Sequence, residues 1–133
     1  MKMRLTAAML LICLCACGIT GCGGSNSSLP DLSGTYVCDT ISFDIGALTF
    51  SAGGKVDLSM DWEYIGTYKK SGDQYELAIT GGKSSVSELL AKERNNTYKI
   101  TAKPNDDGTL TVYLKAKSGY IYYGNESALF KKK

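Results

Sequence analysis

The chain of 133 residues contains no histidine. Its absence excludes Ser-His-Asp and Cys-His catalysis in their usual forms and removes the commonest transition-metal ligand. It also leaves no side chain that titrates near neutrality without a large shift. Proline is scarce at two residues, and tryptophan occurs once, at Trp62. Charge of one sign is missing in bulk: 15 basic residues stand against 13 acidic ones, and the only basic run is Lys131-Lys132-Lys133, which reads as a solvated chain end. A nucleic-acid partner would call for clustered Lys and Arg, and none is legible. Long apolar runs are missing too, except for one near the start.

That run extends from Leu5 to Ile19, follows Lys2 and Arg4, and gives way to the small residues Thr20 and Gly21. Charged, apolar and small segments in this order make an export signal, and the apolar part is shorter than the ~20 residues a spanning helix needs. It ends in Ile19-Thr20-Gly21-Cys22, which resembles the lipobox of bacterial lipoproteins; Leu14-Cys15-Ala16-Cys17 is a weaker version. The resemblance implies cleavage before Cys22, a diacylglyceryl group on its thiol, and a protein held at the cell membrane or outer membrane facing the extracytoplasmic side. The covalent lipid on Cys22 would be the only prosthetic group, and two or three acyl chains at ~0.8 kcal/mol per buried methylene make a stable anchor. Residues 1–21 are then the leader, 22–32 the lipidated cysteine and a Gly/Ser-rich tether reaching under about 20 Å, and 33–133 one domain.

Subtracting the leader changes two counts. Lys2 and Arg4 leave, so the remaining chain carries 13 basic and 13 acidic residues and is formally neutral. Cys13, Cys15 and Cys17 leave as well, Cys22 is taken by lipid, and Cys38 has no partner for a disulfide. Stability must come from one hydrophobic core. Cys38 lies on an alternating strand with no base beside it in sequence, which predicts a small buried apolar residue and not a nucleophile.

From Gly34 onward apolar residues recur with period two. The pattern places Val56, Leu58, Met60 and Trp62 on one face, then Tyr75, Leu77 and Ile79, then Tyr98, Ile100 and Ala102, then Leu110, Val112 and Leu114. Turn chemistry separates the runs at residues 52–54, 71–73, 105–108 and 124–125. One segment differs: Ser85 and Glu88 form a capping box ahead of good helix formers, predicting a helix over 86–94 with Val86, Leu89 and Leu90 facing the sheet. The expected fold is mainly β, an antiparallel up-and-down meander of about eight strands that removes its edges by closing into a barrel. The stretches LSGTYVC, LTFSAGGKVDL, GTYKKSGDQYEL and ALFKKK resemble the small lipocalin-like domains of bacterial lipoproteins, although Gly34-Thr35-Tyr36 has tyrosine where lipocalins carry tryptophan.

Candidate chemistry is thin. Asp57, Asp61 and Glu63 share parity, and the latter two, ~7 Å apart along a strand, fit the spacing of an inverting glycosidase pair. The same alternation of acids marks the solvent face of a half-buried strand, so a hydrolase ranks third. Asn105-Asp106-Asp107-Gly108 lacks the remaining acids of a calcium loop and reads as a turn. No metal site and no enzyme activity are expected. The leading expectation is a monomeric binding domain. Its lipocalin-like version carries a small apolar molecule past Trp62, Phe50 and Tyr75. Its alternative is an interaction module with a filled core that engages an envelope or host protein through exposed tyrosines such as Tyr120 and Tyr122. Small residues inside and an open mouth would favour carriage, and a packed interior the module.

Overall fold

The computed structural model describes residues 28–40, 42–117 and 126–133. Its strands are β1 (Gly34–Cys38), β2 (Ala47–Ser51), β3 (Lys55–Ser59), β4 (Glu63–Ser71), β5 (Gln74–Gly82), β6 (Tyr98–Pro104), β7 (Leu110–Ala116) and β8 (Ser127–Lys132), with one helix, α1 (Ser85–Thr97), between β5 and β6. Each strand pairs antiparallel with the next, and β8 returns to β1, so the sheet closes into a barrel. The expected eight-stranded meander is the observed one. Cys22, Tyr120, Tyr122 and the turn at 124–125 lie outside the described residues.

Period-two alternation does the sorting. Leu48, Phe50, Val56, Leu58, Tyr64, Tyr75, Leu110, Val112, Leu114 and Phe130 point inward and are at most 2% exposed, so the interior is occupied by large side chains. Four rings, Tyr36, Phe50, Tyr68 and Tyr75, pass edge to face at centroid separations of 5.7, 5.2 and 5.8 Å, a geometry favoured by the ring quadrupoles. The tight reversals fall where the sequence places them: Gly54, Gly72 and Gly108 adopt positive φ. In the 105–108 turn the Asp107 carboxylate accepts from both the Thr109 amide and its hydroxyl.

Both ends of the barrel are stoppered. At the end where β4 turns into β5, Leu32 is buried, and the Tyr68 hydroxyl accepts from its amide at 2.9 Å and donates to its carbonyl at 3.2 Å. The Tyr75 hydroxyl donates to the Pro30 carbonyl at 2.6 Å. Residues 29–32, read from sequence as the end of a flexible tether, are therefore folded onto the mouth. Toward the other end, the connection between β1 and β2 sends in Phe43 and Ile45, both buried, with Phe43 packed edge to face on Phe130.

Two sequence expectations fail for local reasons. β3 stops at Ser59, and a bend at residues 60–62 breaks the alternation, so Met60 is half-buried and Trp62 is 44% exposed instead of facing inward. The helix begins one residue earlier than predicted and runs to Thr97, capped by Ser84 and Ser87 instead of Ser85 and Glu88: each of the two serine hydroxyls accepts from the other's amide. This register turns Ser87 and Ala91 inward with Leu90 half-buried, and leaves Val86 40% and Leu89 82% exposed.

The polar inner face of α1 follows from what it covers. β5 pairs with β6 only from Tyr75 to Leu77, although it continues to Gly82 against β4. Beyond Leu77 its amides need other acceptors, since an unpaired strand edge is costly. α1 supplies them: Asn95 Oδ1 accepts from Ile79 N–H at 3.0 Å and Glu88 Oε1 from Gly82 N–H at 2.9 Å. Gly82 permits the approach, because a Cβ there would collide with Ser87.

Candidate functional site

The residues nominated from sequence to contact an apolar ligand are not brought together at one mouth of the barrel. Phe50 and Tyr75 are core residues, both packed edge to face against Tyr68, and burial pushes the Tyr75 phenol above its ordinary value. Trp62 lies in the β3–β4 bend, at the other end of the barrel from the β5 start that carries Tyr75. Cys38 is half-buried and exchanges contacts with Thr40, its sulfur accepting from the amide at 3.3 Å and donating to the carbonyl at 3.4 Å.

Three acids that share parity in the sequence have three separate partners. Asp57 pairs with Lys83 at 2.8 Å, a hydrogen bond that raises the lysine's pKa. Glu63 accepts from the Ser59 hydroxyl at 2.7 Å. Asp61 accepts from Arg94 at 2.7 Å, from the Tyr64 hydroxyl at 3.0 Å and from the Trp62 amide at 3.0 Å. Burial pushes the Asp61 carboxyl up, but the bonds from Arg94 and Tyr64 together with the guanidinium charge carry it below its ordinary value. The cluster borders a concavity of about 360 Å³ with Asp44, Met60 and Tyr98. Asp61 and Arg94 neutralise one another and tie the helix to the β3–β4 bend, while Asp44 lines the concavity outside that pair. Asp61 and Glu63 have separate partners and do not converge on a shared site as a glycosidase pair would.

The more open ground is the wall where β5 and β6 part. A groove of about 380 Å³ runs there, with Tyr98, Asn95 and Ala78 in its walls and Lys69, Lys99 and Lys117 around it. The Lys117 ammonium donates to the Asn95 carbonyl at 2.6 Å, and Lys69 lies 3.6 Å from Glu76. The groove exists because a helix terminus stands where strand pairing would have continued. Among the described residues, no three His, Cys, Asp or Glu side chains gather as a metal site requires, and no helix is long and apolar enough to cross a membrane.

No protein-family model, curated protein or solved structure matches the chain. Its chemistry is therefore read from its own geometry. Sequence reading missed the lysines of this wall, although their parity was visible: Lys99 and Lys103 alternate with Ile100 and Ala102, and Lys115 with Leu114. What it could not supply was the strand register that brings them together.

Proposed function

We propose that the chain is a lipid-anchored extracytoplasmic binding module whose barrel is a filled scaffold and whose binding surface is its outer wall and connecting loops. The observation that carries this reading is the occupied interior: large apolar side chains fill it, Leu32 stoppers one end and Phe43 with Ile45 closes toward the other. A carrier of apolar molecules needs a cavity of ~300–1,000 Å³ that encloses its ligand, whereas the grooves described here lie along the wall and beside the β3–β4 bend. The Ile19-Thr20-Gly21-Cys22 box supports attachment through Cys22, and the docked residues 29–32 would present the barrel close to the bilayer. The half-exposed Trp62 belongs to the loop surface. The reading is non-enzymatic, and the separate pairings of Asp57, Asp61 and Glu63 support it.

Native mass spectrometry of the purified chain, with a denatured control, tests the scaffold reading. We expect no apolar small molecule retained in the native ion, and a reproducible apolar adduct lost on denaturation would refute it. Palmitate labelling in a bacterial host tests the anchor: Cys22→Ser should abolish the label, and a label retained by that variant would refute attachment at Cys22.

A further inference from the structure

We infer that the outer wall over β5, β6 and β7 is a binding site for a phosphate group. The inference rests on the outer-wall reading above and names the chemistry of its ligand. The register of β6 on β7 sets Lys99 directly opposite Lys115 and Thr101 opposite Tyr113. With Lys103 and Gln74 these side chains line a polar concavity of about 260 Å³. Lys99 also borders the neighbouring groove, where Lys69 and Lys117 extend the basic surface.

Like charges placed directly across a strand pair destabilise a sheet, so an opposed lysine pair needs an acid or a reason. All thirteen acidic residues lie among the described residues. The two nearby acids are engaged, Asp73 with Lys103 at 3.3 Å and Glu76 with Lys69 at 3.6 Å, and no carboxylate is in ion-pair range of Lys99 or Lys115. The chain is otherwise charge-balanced, but unevenly: residues 28–71 hold six acidic and three basic residues, and residues 72–133 seven acidic and ten basic. A second observation points the same way. Thr101 lines the concavity, is only 8% exposed, and its hydroxyl has no hydrogen-bond partner among the described residues, where a group so buried is normally satisfied. A bound anion would satisfy it.

The donor set selects the anion. Arginine's planar fork meets carboxylate and phosphate alike, whereas lysine binds phosphate as a compact point charge that can approach from any side. The one arginine among the described residues, Arg94, is committed to Asp61. The two lysines unpaired among the described residues, Lys99 and Lys115, with the Thr101 hydroxyl, the Tyr113 phenol and the Gln74 amide, and with Lys103 shared with Asp73, can donate to a tetrahedral group from several directions. The phosphate can belong to a free phosphate compound or to an anionic lipid headgroup, and the test separates the two.

Amide chemical shifts of the full chain would be followed by NMR in two arms. In the first, inorganic pyrophosphate is titrated into the protein in non-ionic detergent. In the second, the protein is compared in nanodiscs of phosphatidylcholine with and without phosphatidylglycerol. Saturable shifts at Lys99, Thr101, Tyr113 and Lys115 in the first arm identify a soluble phosphate ligand. Shifts only with phosphatidylglycerol identify a headgroup. The Lys99→Gln/Lys115→Gln variant should lose affinity by about tenfold or more, with a thermal midpoint no lower than the parent because a repulsion is removed. Lys55→Gln/Lys92→Gln should bind as the parent does. Absence of saturable shifts in both arms, or unchanged binding by the Lys99/Lys115 variant, overturns the site. The mass-spectrometric test of the filled scaffold is independent of that result.

Discussion

Removing the Tyr68 hydroxyl should release residues 29–32 from the barrel mouth without unfolding the barrel. In Tyr68→Phe the ring keeps its place between Phe50 and Tyr75, and only two hydrogen bonds to the Leu32 backbone are lost. What holds the segment is the burial of Leu32, about 1.5–3 kcal/mol, and three hydrogen bonds to Tyr68 and Tyr75 at about 0.5–1.5 kcal/mol each. Asp31 to Lys70, at 2.8 Å with the carboxylate 86% exposed, adds little. Against a gain of about 3–7 kcal/mol stands the ordering of several residues at about 1–2 kcal/mol each, so docking is marginal. The variant strands the Leu32 amide in a buried mouth at about 1–3 kcal/mol, enough to undock it. Leu32→Ala alone should cost at most about 2 kcal/mol, the low end for a buried leucine, because release of the segment caps the loss at its net docking free energy. The double variant should cost less than the two single costs combined, by at least about 0.5 kcal/mol, because a released segment cannot be released twice. Urea unfolding measures all three, and hydrogen exchange reports the Leu32 amide directly. Additive costs, or a Leu32 amide that exchanges as fast in the parent as in Tyr68→Phe, would refute the docked mouth.

Other consequences are equally direct. Gly66→Ala drives a Cβ into the carbonyl oxygen of Ala78 beside the β4–β5 irregularity, and should cost about 1–3 kcal/mol in urea unfolding; an unchanged midpoint would contradict the close approach. Ser84→Ala removes the N-cap and should cost about 0.5–2 kcal/mol, whereas Leu89→Ala, at a position 82% exposed, should stay within about 0.5 kcal/mol; the reverse order would restore the helix face first read from sequence. Because the Asp61 carboxyl is held below its ordinary value, its contribution to stability is present above the unfolded-state pKa near 4 and is lost as pH falls through the folded value. That contribution is small for a carboxylate 42% exposed, and Asp61→Asn should flatten the acid limb of stability against pH. A limb of the same slope in the variant would remove Asp61 from the account.

The barrel was legible because one rule, alternation, is enforced along every strand by a dry interior and a wet exterior, and because glycines stand at the reversals. Trp62 was misplaced because alternation holds only while the strand does, and nothing local in Ser59-Met60-Asp61-Trp62 announces the bend. The helix was located but rotated. Counting apolar residues favoured Val86 and Leu89, while the face that mattered had to offer Asn95 and Glu88 to the orphaned amides of β5, a need invisible until the strand pairing is known. The basic wall was hidden for the same reason: Lys99 and Lys115 are far apart in sequence, and only register makes them opposite. Residue types reveal faces, and pairing reveals neighbours.

The parting of β5 from β6 gives the barrel a seam. Three residue pairs join these strands, as few as join β1 to the shorter β8 and against eight between β4 and β5. What sets this junction apart is that the rest of the nine-residue β5 is stitched by the side chains of Asn95 and Glu88, which can swing away where a backbone ladder cannot. Breathing of the wall should therefore begin here, well below the free energy of global unfolding. The amides of Ile79 and Gly82 would lead in hydrogen exchange. Since Lys99 borders the seam, an anion gripping Lys99 and Lys115 would bind across β6 and β7 and act as a clasp beside it, and occupancy of the basic wall would register as slower exchange along β5.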